Sequence, residues 1–124
     1  MEIVTNSSDL APHLRGASVA IGNFDGVHLG HQHVIDRARV EGLPLGILTF
    51  EPHPRQFFAP DAPPFRLMNA EAKAHRLEKL GVDILYELPF NTALSHLTAE
   101  EFARDVLAEG LGLKRVIVGA DFCF

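Results

Sequence analysis

His28 and His31 stand three residues apart in Gly22-Asn-Phe-Asp-Gly-Val-His-Leu-Gly-His31, and Gly22, Gly26 and Gly30 are spaced through the same stretch. Imidazoles beside glycines suit the stabilisation of charge on a polyphosphate. Glycine lets the backbone approach a ligand closely and adopts positive φ without a Cβ clash. Histidine titrates near ~6.5 and a bound phosphate raises that value, so each ring can donate as a neutral or a cationic group. Two familiar phosphate loops are excluded by spacing. G-x-x-x-x-G-K-[ST] is absent, and the three glycines do not fit G-x-G-x-x-G. A nucleotide phosphate site at this turn is the leading expectation.

Such a site must be held between rigid elements. Ser18-Val-Ala-Ile21 reads as a short buried strand, and Gln32–Glu41 reads as a helix carrying Val34, Ile35 and Ala38 on one face and stopping at Gly42. The helix start adds unpaired N–H groups and the positive end of a dipole. Leu45–Phe50 is a second strand opened by Pro44, and Val82–Leu88 a third. Between them a helix runs from an N-cap at Asn69 to about Leu80, with Ala70, Ala74, Leu77 and Leu80 inward and Gly81 at its end. Thr98 and Glu101 form a capping box ahead of Phe102, Val106 and Leu107 on one helical face. Lys114–Gly119 supplies a fourth strand, and Glu2–Val4 a possible edge strand within the polar N-terminal segment. The alternation predicts an α/β fold, a Rossmann-like parallel sheet with flanking helices and right-handed crossovers.

In such sheets ligands bind outside the carboxyl ends of the strands. Three unusual segments fall there: the glycine turn, Glu51-Pro-His-Pro-Arg55, and Asp121. Across Glu51–Pro64, which begins with the second of these, Pro52, Pro54, Pro60, Pro63 and Pro64 rule out a regular helix or central strand, while Phe57, Phe58 and Phe65 are too apolar for a simple solvated linker. That segment reads as a flap over a ligand.

The string Gly22–His31, with its H-x-G-H tetrapeptide at 28–31, resembles the nucleotidyltransferases, and within them the FMN adenylyltransferase module of bacterial bifunctional riboflavin kinase/FAD synthetases. Thr49-Phe-Glu-Pro-His-Pro-Arg55 and Val118-Gly-Ala-Asp-Phe-Cys-Phe124 resemble the FMN-specific branch, and the likeness runs from about Val19 to Phe124. It implies adenylyl transfer from ATP to FMN, with FAD and pyrophosphate as products and Mg2+ accompanying ATP. His28 and His31 would be catalytic. Gly22, Asn23, Phe24, Asp25, Gly26, His28, Gly30 and His31 would bind ATP, and Pro52, Pro54, Phe58, Leu94, Phe102, Val106, Asp121 and Phe124 would line the flavin side. Plainer roles fit some of these residues as well. Amphipathic spacing by itself accounts for Phe102 and Val106 as core, and Leu94 can be plain core too. Asp25 could bond its own backbone in a turn, and His53 suits an exposed loop as well as it suits a site. His13, His33, His75 and His96 read as surface residues without ligand spacing.

In the family, the Asp-Phe-x-Phe segment is followed by glycine, a second ATP motif and a riboflavin kinase domain. The resemblance therefore implies that residues 1–124 are the N-terminal part of an adenylyltransferase domain, C-terminally incomplete and without the kinase domain. Exposed apolar surface on such a piece could lead to self-association. Adenylyl transfer to another phosphate substrate, or flavin or nucleotide binding without catalysis, remain as alternatives.

Bulk properties bound the rest. The 124 residues suffice for one modest core, and 47% hydrophobic with 22% charged residues is ordinary for a folded domain. A net charge of −5 leaves no basic stripe for nucleic acid. No apolar run approaches the ~20 residues that span a bilayer, and Met1–Arg15 lacks the pattern of a secretory signal. The lone Cys123 cannot close an internal disulfide, which suits a reducing cytoplasm. Small nucleotides and flavins are the expected partners.

Overall fold

Strand order explains how this chain makes a crevice. The computed structural model describes residues 1–22, 24, 29–51, 58 and 70–118. Among these, strands β1 (Glu2–Val4), β2 (Ser18–Ile21), β3 (Leu45–Glu51), β4 (Ile84–Pro89) and β5 (Arg115–Val118) form one sheet in the order β1-β4-β3-β2-β5. Every pairing is parallel. From β2 the chain steps through β3 to β4, then returns across both to lay β5 on the far side of β2. The direction of winding thus reverses between β2 and β5. Open α/β sheets bind ligands at such a switch point, outside the carboxyl ends of the strands.

Right-handed crossovers require helices on opposite faces once the direction of winding reverses. Helices α1 (Leu29–Ala38) and α2 (Ala70–Lys79) lie in the two forward connections. The return connection holds α3 (Thr92–Ser95), α4 (Ala99–Glu101) and a π-helix (Phe102–Gly110). The core divides accordingly. Val19, Ile21, Leu48, Phe50, Tyr86 and Leu88 pack against Phe102, Val106 and Leu111. Ala20, Ile47 and Leu85 pack on the other face with Ile35 and Ala38 of α1 and Leu77 of α2. Successive strand residues alternate between these layers, as the period of two demands. Burial on both faces is why the central strands read as largely apolar runs.

Local chemistry sets the element ends. α1 begins at Leu29 and closes at Ala38, so the expected span of Gln32–Glu41 is displaced toward the N-terminus. Gly30 and His31 consequently belong to its first turn. At the other end the Arg39 N–H turns back to the Asp36 carbonyl at 3.2 Å, and the Arg39 guanidinium donates to Asp36 and to the Leu80 carbonyl, fixing the exit. Gly81, at φ +89, ends α2 as its sequence position implied. The Thr98–Glu101 capping box forms with both reciprocal bonds, 3.0 and 2.9 Å. The helix it opens soon widens, and the Leu111 N–H donates to the Val106 carbonyl, five residues back, at 2.8 Å. Apolar spacing could not announce this, because Phe102 and Val106 face inward in either helix type.

The β1–β2 connection is clamped onto the return helix. The Arg15 guanidinium donates to the Gly110 and Glu109 carbonyls at 2.8 and 3.1 Å, placing a cation on the helix's C-terminal end. Fully buried Tyr86 donates its hydroxyl to the Leu14 carbonyl at 2.6 Å. Burial pushes the Tyr86 phenol up to about 12, an effect that nearby Arg15 partly offsets.

Candidate functional site

The carboxyl end of β2 is built around an aromatic plug. Gly22 is buried and donates its N–H to the Leu48 carbonyl at 3.2 Å. Phe24 then enters the left-handed region at φ +53 and buries its ring completely. A Cβ at position 22 would lie 3.0 Å from the Phe24 Cε2, so glycine there makes room for the ring. Positive φ at a bulky residue is costly and persists where its surroundings hold it. Here the ring sits in the core cluster and meets the His31 imidazole edge-on, with centroids 5.1 Å apart at 61°. His31, only 5% exposed, is thereby set in the first turn of α1. The Phe24 side chain is part of the packing beneath the turn, so what position 24 offers a ligand is backbone. Asn23, Asp25, Gly26 and His28 lie outside the described residues.

On the other face of the sheet, at the carboxyl ends of β1 and β4, lies a cavity of about 340 Å³. Its apolar lining includes Leu88, Leu94, Leu97 and Val106. An aromatic cluster adjoins this region: Phe50 meets Phe90 at 5.6 Å and Phe102 at 6.0 Å, and Phe58 meets Phe90 at 5.8 Å. Of the sequence-predicted flavin residues, Leu94 and Val106 line the cavity, Phe102 is buried in the core beside Phe50, and Phe58 is 68% exposed. Pro52, Pro54, Asp121 and Phe124 lie outside the described residues, as does His53.

The two halves of the site are separated by the sheet itself. β3 stands between β4 and β2, so their carboxyl ends are two strand spacings apart, roughly 10 Å. A ligand reaching from the cavity to the start of α1 must cross that gap.

Several residues escape a reading of the sequence. Thr5, Asn6, Ser7 and Ser8 form a polar side of the cavity, although nothing in their pattern marks them. Phe90 links Phe58 to Phe50, a long-range contact invisible to local spacing. Lys73 is 6% exposed and has interaction partners in the fold. Its signal is present in the sequence: 70, 73, 74, 77 and 80 form one helical stripe, and a lysine interrupts it. The hydroxyls of Ser18 and Thr49 are buried without a hydrogen-bond partner among the described residues. That of Thr49 lies near the carboxyl end of β3, close to the crevice.

Comparison with known proteins gives a consistent picture. The FAD synthetase family model matches residues 10–124. A bifunctional riboflavin kinase/FMN adenylyltransferase of Pseudomonas fluorescens is 42% identical over 128 positions, covering 100% of this chain and 41% of the relative. Its namesake from Bacillus subtilis is 36% identical, covering 98% and 40%. A crystal structure of a macrolide-efflux protein from Streptococcus pneumoniae superposes with a TM-score of 0.77 at 27% identity, covering 99% of this chain and 43% of that one. Among the described residues no helix is long and apolar enough to cross a membrane. The chain spans about two-fifths of the length of the curated relatives it matches. With the family match running from before β2 to beyond β5, through the switch-point crevice and the return helix alike, the chain belongs to the FAD synthetase family.

Proposed function

We propose that these residues are the N-terminal part of an FMN adenylyltransferase domain, which transfers the adenylyl group of ATP to FMN and yields FAD and pyrophosphate. One observation carries this reading: a helix start with a pinned histidine and a cavity with apolar lining both lie at the carboxyl edge of the sheet, on either side of β3. A phosphate oxygen of FMN attacks the α-phosphorus of ATP, and the bond from that phosphorus to the pyrophosphate oxygen breaks. The attacking phosphate is already anionic, so the step needs no general base and no covalent enzyme intermediate.

The protein's work is alignment and charge stabilisation. His31, with His28, donates to the triphosphate, while backbone N–H groups around Asn23, Asp25, Gly26 and Gly30 cradle it; Gly22, its own N–H bonded to Leu48, contributes by leaving room for the Phe24 ring. Mg2+ accompanying ATP would be held mainly by the phosphates and water and would supply charge neutralisation for the leaving pyrophosphate. The donors described at the turn are imidazole and backbone N–H, which suit the phosphates rather than the metal. Phe58, Leu94, Phe102 and Val106 serve the flavin side, with Pro52, Pro54, Asp121 and Phe124. Riboflavin kinase, the other activity in the relatives' name, is not assigned to these residues. The setting is the cytoplasm. Self-association would cover Ile3 and Val118, each 54% exposed on the outer strands β1 and β5 of the sheet formed by the described residues.

Titration of FMN fluorescence with and without MgATP, beside an assay for FAD, tests this reading. Saturable quenching is expected, with MgATP changing the wild-type curve but not that of His28→Ala. A folded protein that neither quenches FMN nor forms FAD would overturn it.

A further inference from the structure

The flavin reading, on which this inference rests, leaves the polar side of the cavity without a task. That side consists of Thr5, Asn6, Ser7 and Ser8, which follow β1, together with Asn91 at the start of α3. Leu94, Leu97 and Val106 supply apolar lining. The volume of about 340 Å³ lies at the small end of the ~300–1,000 Å³ typical of small-molecule sites. It suits a compact planar ring system with one polar and one apolar edge.

The two amides have a specific polarity. The Asn6 Oδ1 accepts the Ser8 N–H at 3.2 Å, and the Asn91 Oδ1 accepts the Leu94 N–H at 2.9 Å. Each oxygen already accepts from the local backbone, which fixes the amide's orientation and leaves its NH2 group as the donor available to a ligand. The wall is also held close to the return helix: a Cβ at Gly110 would lie 2.6 Å from the Ser7 carbonyl oxygen, so glycine lets that backbone pass against the helix end. Asn6 and Asn91 are solvent-exposed at the cavity wall, so their NH2 groups are open to a ligand, and an isoalloxazine carries two carbonyl acceptors along its pyrimidinedione edge, opposite the apolar dimethylbenzene edge.

We propose that Asn6 and Asn91, on the polar wall completed by Thr5, Ser7 and Ser8, read the carbonyl edge of the isoalloxazine and set its orientation, turning the dimethylbenzene edge toward Leu94, Leu97 and Val106. These residues determine specificity and positioning, and none touches the reacting phosphates.

The test compares the affinity of the full chain for FMN with its affinity for 2-thio- and 4-thio-FMN, whose sulfur is a weak acceptor. Wild type should prefer FMN over at least one analogue by about 3–10-fold, the worth of one neutral hydrogen bond. Asn6→Asp and Asn91→Asp keep the oxygens that accept from Ser8 and Leu94 and remove the NH2 donors. Their added charge repels FMN and its thio analogues alike, so the preference ratio is the readout, and it should fall toward one in at least one variant. Asn91→Ser, which keeps a capping oxygen without charge, should behave like Asn91→Asp. FMN binding with ratios unchanged in all three variants would overturn this inference alone. Absence of FMN binding by the folded wild type would overturn the flavin reading and this inference with it.

Discussion

Replacing Tyr86 with phenylalanine removes one oxygen atom from the core and with it a pH dependence that can be calculated. The Tyr86 ring is fully buried, its hydroxyl donates to the Leu14 carbonyl at 2.6 Å, and burial holds its pKa at about 12 against 10.0 in the open chain. Below pH 10 the phenol is neutral whether the chain is folded or not, and its contribution is that of one hydrogen bond, about 1 kcal/mol. Between pH 10 and 12 the unfolded chain loses the proton while the folded one keeps it, so stability drains away as pH rises. Two pKa units correspond to about 2.7 kcal/mol in full and about 1.4 kcal/mol at pH 11. Tyr86→Phe should therefore be about 1 kcal/mol less stable than wild type at pH 8, equal to it near pH 11, and the more stable of the two beyond. Urea unfolding of both proteins at pH 8, 10 and 11 measures this. Lysines also titrate in that range, but they do so in both proteins and cancel in the difference. Parallel stability curves would refute the reasoning, because a phenol that ionises equally easily in both states is not buried as described.

Three further outcomes are expected. Gly46→Ala should cost about 1–3 kcal/mol by overpacking, because a Cβ there would lie 2.8 Å from Val19 Cγ2 and 3.0 Å from Tyr86 Cε2; thermal or urea unfolding checks it. Thr98→Ala should cost about 1 kcal/mol by removing the cap that accepts the Glu101 N–H at 3.0 Å, and faster amide exchange should be confined to the α4–π-helix segment. Phe58→Ala removes an exposed ring that touches Phe90. Stability should change by less than ~0.5 kcal/mol. The KM for FMN should rise about 2–10-fold, the worth of an aromatic contact, with the KM for ATP unchanged; a shift in the ATP value instead would misplace the ring.

How much of the fold is legible in the sequence depends on whether a feature is local. β2, β3 and β4 announce themselves as apolar runs because parallel strands covered on both faces have no polar side to show. Gly81 and the Thr98–Glu101 pair mark helix ends through chemistry contained within a few residues. The start of α1 lies three positions before the expected one, since Leu29, Gly30 and His31 carry turn-like composition yet already lie in helical backbone. The π-helix is illegible for a different reason, its inward residues being spaced four apart as in an α-helix. The glycine–histidine turn is legible as chemistry, but Phe24 is not legible as its foundation, because a phenylalanine at positive φ is chosen by tertiary packing. Thr5–Ser8 carry no signal at all. Four small polar residues become a cavity wall only because β1 lies beside β4 at the sheet edge, a placement fixed by partners about eighty residues away.

The strand order has one more consequence. Hydrogen-bonded strands keep their spacing far more strictly than loops or helices do, so on the proposed flavin reading β3, lying between the β4 end of the cavity and the start of α1, would act as a gauge block for the acceptor. A flavin whose sugar-alcohol arm is shortened by one carbon would seat its ring as well as FMN does, yet present its phosphate short of the α-phosphorus. Such a molecule would occupy the enzyme without being adenylylated. Selection by length of this kind needs no residue to contact the arm at all.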